Sequence, residues 1–392
     1  MNLLWISPMF PCPPFSGGQT RSFNLIKGLA KKHRITLFSF WRPNRKQGPV
    51  KEMEKYCRIV KVFPGRKTWS LRNVSLAAFS LLPFPITHFY GDKSLIKAIE
   101  DELAHGKYDL VHFESFYTSP YLKSVKNLPR VLGNENVEFL IYRRFAQAKK
   151  NLFLKLALLF DVWKMERFEK KKWRQADFNL AVSEKDARVV ERIVGKKIAV
   201  IPNGVSLGFF EKIKKLKPKE PVFLFVGDFR YFTNQDAVFY LVRQVWPLIK
   251  KELPQAKLRL VGKNAPKEIL KLKDEDVLVD EKVEDIRLAY KKATVFLAPM
   301  RFASGTNIKI LEALAAELPI VTTPIGLEGI KARKAVLLGE RKEDFAQQAI
   351  RLVQDNNKQA ELIALGKKIV KEKYDWVKII QKLDQIYQEI VK

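Results

Sequence analysis

The sequence predicts an α/β protein on parallel sheets, divided into two domains. Three observations predict it. Strand-like apolar runs alternate with helical runs from one end of the chain to the other. The 392 residues suffice for two domains of ordinary size, and a hydrophobic content of 47% indicates a folded chain. Midway, turn residues and a lysine-rich stretch at 212–219 interrupt the alternation.

In the first half, apolar runs predict strands at 3–7, 35–40, 59–63, 110–113, 130–132 and 178–182. The loop after the first strand, 10–18, is proline-rich and ends in Gly17-Gly18, ahead of a helix expected at 20–31. Ligands of open α/β sheets bind outside the carboxyl ends of strands, so this loop is a candidate cleft wall. The longest uncharged run lies between Arg72 and Asp92 and is broken by Pro83 and Pro85. Its unbroken part is too short to span a bilayer, and the run reads as a buried helix followed by a turn.

Ile201-Pro202-Asn203-Gly204-Val205 is turn chemistry, and the boundary of a first domain, 1–205, is placed there. Strands of the second domain are expected at 222–226, 257–261, 277–279, 295–298 and 320–323. Gly227-Asp228-Phe229-Arg230 follows the first of these, and amphipathic helices run from Asp344 onward.

The stretch around which the chain is organised is 301–315, between the 295–298 strand and Pro319. Gly305 and Thr306 supply a turn and an expected N-cap, leaving helix-terminal N–H groups at the strand end. Ile308, Leu311, Ala315 and Leu318 recur at helical spacing and can face the sheet. Lys309 and Glu312, three apart, then share another face, where amides and lysine suit a diphosphate and the carboxylate suits ribose hydroxyls. The same spacing also suits a plain intrahelical Lys–Glu pair.

The formal charge of +30 predicts attraction to polyanions: nucleic acid, anionic lipid or phosphorylated ligands. Residues 143–174 concentrate it, with eleven Lys/Arg against three Asp/Glu interleaved with aromatics. That segment suits an anionic membrane surface, and equally a long helix with a charged solvent face. Cys12 and Cys57 form no metal-type spacing and no disulfide framework, which fits a reducing cytoplasm. The amino terminus begins with strand-like residues and carries no signal-type apolar core.

Together these residues resemble the GT-B fold glycosyltransferases of family 4 along nearly the whole chain. Pro14 to Gly18 resembles the family's glycine-rich loop, and Ile201-Pro202-Asn203-Gly204-Val205 its linker-proximal turn. Residues 177–186, 225–247, 304–315 and 322–329 resemble successive family motifs, and Tyr374-Asp375-Trp376 resembles the start of the last helix. The resemblance implies two Rossmann-like domains facing across a cleft: an acceptor domain, 1–205, and a donor domain, 206–372. A terminal helix, 373–392, would return to the first. It implies transfer of a sugar from a nucleoside-diphosphate sugar to a hydroxyl on a glycan or lipid-linked acceptor. Retention, no metal and no cofactor are expected, in a cytoplasmic protein able to rest on the inner membrane face.

By the same resemblance Lys309 and Arg230 hold the diphosphate, Glu312 the ribose, and the Gly17-Gly18 loop closes over the donor. Gly227, Asp228, Ser304, Gly305, Thr306, Asn307 and Ile308 complete the donor side. His112 and Glu138 fall on the acceptor side. Two positions depart from the family pattern. Ser304 stands where a glutamate is common, and Glu135, taken with Lys309 and Arg230 as catalytic, where a histidine is common. These departures keep a catalytically silent sugar-nucleotide-binding relative as an alternative, with nucleic-acid binding behind it. No helix-turn-helix, zinc-finger, P-loop or dinucleotide signature occurs.

Overall fold

The computed structural model describes residues 1–392 apart from 15, 42–48, 68, 213, 215, 217 and 303–305. The chain divides into two compact units, 1–202 with 380–392, and 203–379. Sequence reading set these boundaries at 205/206 and 372/373. The difference has a backbone cause. The Val205 N–H donates to the Tyr374 carbonyl at 2.8 Å and the Trp376 N–H to the Val205 carbonyl at 3.2 Å. Residues 203–205 and 374–376 are therefore stitched together inside the second unit.

The first unit carries β1 (Asn2–Ser7), β2 (Arg34–Trp41), β3 (Ile59–Pro64), β4 (Leu110–Glu114), β5 (Arg130–Asn134), β6 (Phe178–Ala181) and β7 (Ala199–Val200). They pair in parallel in the order β3-β2-β1-β4-β5-β6-β7, with Trp5 in register with Leu37 on one side and His112 on the other. The second unit carries β8 (Val222–Val226), β9 (Lys257–Val261), β10 (Val277–Asp280), β11 (Val295–Ala298), β12 (Ile320–Thr322) and β13 (Leu337–Leu338). Its parallel order is β10-β9-β8-β11-β12-β13. Sequence reading misses β7 and β13 because two residues are too few to show a pattern.

Central strands of parallel sheets are covered on both faces, which is why Leu3, Leu4, Trp5 and Ile6 are all fully buried without alternation. Each such Leu or Ile contributes about 1.5–3 kcal/mol. In both sheets the strand order reverses beside the first strand, between β1 and β4 and between β8 and β11. The carboxyl ends there are the expected ligand positions.

Helix α1 spans Gly17–Leu29, earlier than expected, because Ser16 is extended and its carbonyl accepts the Thr20 N–H at 2.8 Å. Gly17 and Gly18 thus form a first helical turn, not a closing loop. Helix α2 (Leu71–Phe79) corrects a second expectation: it is not buried, and Asn73 is its one buried residue. Helices α3 (Glu138–Gln147) and α4 (Leu152–Gln175) carry the basic segment. In the second unit α5 (Phe232–Tyr240) follows β8, and α6 (Ile308–Ala315) follows β11. The last helix, α7 (Trp376–Val391), passes from the second unit into the residues grouped with the first.

Candidate active site

In the second unit the carboxyl ends of β8, β9 and β11 meet. The Gly227 N–H donates to the Val261 carbonyl at 3.0 Å, and the Phe229 N–H to the Lys263 carbonyl at 2.9 Å. Gly262 permits this approach, since a Cβ there would lie 1.8 Å from the Gly227 carbonyl oxygen. Gly227 in turn makes room for the Asn234 side chain, which would sit 2.9 Å from an added Cβ.

Asn234 is buried on α5, its amide donating to the Asp228 carbonyl at 2.8 Å. Its other end accepts the Lys309 ammonium at 2.5 Å. Lys309 also lies 4.5 Å over the Phe225 ring. Glu312, one helical turn on, accepts the Tyr290 hydroxyl at 2.9 Å. Lys309 and Glu312 are therefore each held by a different element, and the plain intrahelical pair is not what their side chains form. Burial lowers the Lys309 ammonium to about 7, against the opposing pull of Glu312, and raises the Glu312 carboxyl.

Thr306 was expected to cap α6. The cap position is Asn307, whose amide donates instead to the Gly326 carbonyl at 2.7 Å. No side chain caps the helix, and the buried Thr306 hydroxyl has no partner among the described residues. Helix-terminal N–H groups near the half-buried Lys309 form an anion-binding arrangement. Ile308 opens the helix half-buried. Ser304 and Gly305 lie outside the described residues. Arg230 is exposed and paired with Asp228, its Nε donating at 3.0 Å, and Asn264 shares the same carboxylate at 3.1 Å. To hold a diphosphate, Arg230 has to exchange that carboxylate for phosphate oxygens.

In the first unit Glu135 follows β5 and reaches the first turn of α1. A Cβ on Gly18 would lie 2.9 Å from Glu135 Oε2, so the glycine is what lets the carboxyl reach that position. Burial, with the nearby Glu114 charge, pushes the Glu135 carboxyl up to about 8 despite Arg21. A carboxylic acid is thus held neutral at the carboxyl end of a sheet.

His112 does not take the acceptor-side place expected of it. It is 1% exposed and stacked 3.9 Å from Trp5. Its Nε2 meets Glu114 Oε2 at 2.7 Å and its Nδ1 the Tyr387 hydroxyl at 2.7 Å. Arg21 Nε donates to the other Glu114 oxygen at 2.8 Å, and its Nη1 to the Ile201 and Pro202 carbonyls at 3.0 Å. Burial works to raise Glu114, but Arg21 and His112 hold it down to about 2. Glu114 is therefore the anion and His112 a neutral ring donating from Nε2. Glu138 is also buried, accepting Asn136 at 3.2 Å and Tyr117 at 3.4 Å, so its carboxyl faces its own unit.

Sequence reading missed Arg21, Glu114, Tyr290 and Tyr387, and gave Asn234 no role. Glu114 had a signal, since two-residue spacing puts it on the same strand face as His112. Tyr290 had none, because only tertiary packing brings it to Glu312.

A model of glycosyltransferase family 4 matches residues 15–209, and a model of the glycosyl transferases group 1 matches residues 220–355. The chain belongs to this glycosyltransferase family. The glycosyltransferase is 22% identical over 398 residues to an uncharacterized 44.6 kDa protein in the cps region of Klebsiella pneumoniae, covering 97% of this chain and 98% of that one. Its fold resembles sucrose-phosphate synthase from Thermosynechococcus elongatus, with a TM-score of 0.71, 17% identity, and 100% and 99% of the two chains covered. It also resembles Anabaena HepE in complex with UDP and glucose, with a TM-score of 0.63, 14% identity, and coverage of 99% and 100%. The fold is GT-B, with parallel sheets of seven and six strands. Among the described residues of this glycosyltransferase, no helix is long and apolar enough to cross a membrane.

Proposed function

We propose that this glycosyltransferase moves a sugar from a nucleoside diphosphate, uridine diphosphate first, to a hydroxyl of a glycan or lipid-linked acceptor. The observation that carries the reading is Lys309. It is held by Asn234 over the Phe225 ring, one residue into a helix whose N-cap residue, Asn307, makes no capping bond. A buried cation beside helix amides is where the charge of a leaving diphosphate is best stabilised. The solved complexes of HepE with UDP support uridine as the base.

In this reading the donor lies along the second unit. The amides of α6 and Lys309 carry the diphosphate, joined by Arg230 once it leaves Asp228. Glu312, fixed by Tyr290, accepts from ribose, and Gly227, Asp228 and the Thr306 hydroxyl complete the pocket. Lys309 supplies the positive charge that a divalent ion supplies in metal-dependent transferases, so the reaction runs without one. Retention follows when the acceptor attacks on the face the diphosphate leaves, its proton passing to a diphosphate oxygen stabilised by Lys309.

On the first unit, Glu135 beside Gly18 contacts the transferred sugar or acceptor hydroxyl. A lipid-linked acceptor would be met at an anionic membrane surface through residues 143–174.

A thermal-shift screen with nucleotide sugars and bare nucleoside diphosphates, at low and high salt, tests the reading. A ligand that binds only the folded state raises the melting temperature by mass action. Stabilisation by uridine diphosphate and one of its sugars, persisting in salt, is expected. No shift with any nucleotide would overturn it.

A further inference from the structure

We propose that residues 69–81 and the first half of α4 form a docking face for an anionic phospholipid bilayer, lying at its surface. The observation is an inverted helix. The single buried side chain of α2 is the polar Asn73, whose amide donates to the Lys67 carbonyl at 2.8 Å. Its apolar Leu71, Val74 and Phe79 point outward, Leu71 and Phe79 each 90% exposed, while Leu76 is half-buried. Water is the wrong neighbour for such a face.

Helix α4 repeats the pattern. Phe153, Leu156, Phe160 and Trp163 recur at steps of three and four and all stay exposed, Phe153 at 85%. The two helices are fastened together. The buried Lys164 ammonium donates to the Ala77 carbonyl of α2 at 2.6 Å, and Asp161 accepts the N–H of Phe84, in the helical turn that follows α2, at 2.9 Å. Both stripes thus belong to one rigid piece of the first unit.

Charge selects the occupant. Eleven Lys/Arg against three Asp/Glu lie in 143–174, most of them flanking the apolar stripe on either side and two of them, Lys164 and Lys172, buried, in a chain of formal charge +30. Lys149 sits 4.0 Å over the exposed Phe145 ring and Arg167 5.0 Å over Trp163. Cations beside outward aromatics match the headgroup level of an anionic membrane. A second copy of this chain would set one strongly positive surface against another. The proposal deepens the acceptor side of the reading above and rests on that reading only for what the membrane presents.

The test uses the full chain with vesicles of phosphatidylcholine alone or mixed with phosphatidylglycerol. Co-sedimentation with the anionic vesicles, weakened by salt, is expected. The double variant Phe79→Ser with Phe153→Ser should lose about tenfold or more in partitioning, with an unchanged melting temperature and unchanged affinity for the nucleotide sugar. Absence of vesicle binding at low salt, or a double variant that binds like the parent, overturns the proposal. Self-association that the double variant abolishes also overturns it, by assigning the face to a second copy. Vesicle binding that persists while no nucleotide sugar binds supports the docking face and sinks the transfer reading alone.

Discussion

The Tyr387 hydroxyl donates to Nδ1 of His112 at 2.7 Å, across 275 residues of sequence. Through that bond the last helix joins a buried chain that continues to Glu114 and Arg21, ending on the carbonyls of Ile201 and Pro202. The residues where the chain leaves the first unit and the helix by which it returns are fastened to one strand. Removing the hydroxyl leaves a buried ring nitrogen without its donor. Tyr387→Phe should cost about 1–3 kcal/mol in denaturant unfolding. Glu114→Gln, which strands the Arg21 cation, should cost roughly 3–5 kcal/mol. Equal and negligible losses would contradict the network.

Lys309→Ala should weaken binding of the nucleoside-diphosphate sugar by about a hundredfold or more, near 2.7 kcal/mol. The melting temperature of the empty protein should not fall, because a half-buried cation is removed along with its desolvation cost. Titration calorimetry and a melting curve on the same sample read both. Unchanged affinity would remove Lys309 from the site.

The same lysine sets a pH dependence. Burial lowers it to about 7, so the empty protein carries it partly neutral just above neutrality. A diphosphate favours the charged form, and binding therefore takes up a proton there. Affinity should be flat below about pH 7 and fall above it, by up to about tenfold per pH unit. Calorimetry in buffers of different ionisation heat should show proton uptake at about pH 8 and little at about pH 6. Lys309 also acts on folding: between its folded value and its higher unfolded value the unfolded chain binds the extra proton, so its contribution to stability rises with pH.

Glu135 moves the other way, since its carboxyl is pushed up to about 8. Between its unfolded and folded values the folded state binds the extra proton, so its contribution to stability falls as pH rises through that window. Glu135→Gln should therefore stabilise the fold, on the order of 1 kcal/mol once partial solvent contact is allowed for. Donor affinity should remain, while turnover falls by about 10²-fold or more. Full turnover in this variant would reject a role for Glu135.

Two glycine variants separate room for a side chain from room for the backbone. Gly18→Ala meets only the movable end of Glu135, at 2.9 Å from Oε2. It should fold at least as well, with up to about 1 kcal/mol of added helix propensity, and lose turnover. Gly262→Ala meets the Gly227 carbonyl at 1.8 Å, a backbone atom that cannot step aside. It should lose several kcal/mol, about 2–4. A stable Gly262→Ala protein would argue against the paired strand ends.

By itself the sequence determined the parallel α/β character of two domains and where their long strands fall along the chain. Apolar runs such as 3–6 and 222–226 carry that information locally, because a strand covered on both faces must be apolar throughout. It also determined that Lys309 and Glu312 open a helix at a strand end, since helical spacing and the flanking strand are adjacent in the chain. Only the tertiary structure decided what those side chains touch. Asn234 and Tyr290 reach them from 75 and 22 residues away. It buried His112 behind Tyr387, turned Gly17 and Gly18 into a helical turn, and left Leu71 and Phe79 facing out. Burial and partner choice depend on which elements pack together, and packing is a property of chain segments distant in sequence, which no local periodicity encodes.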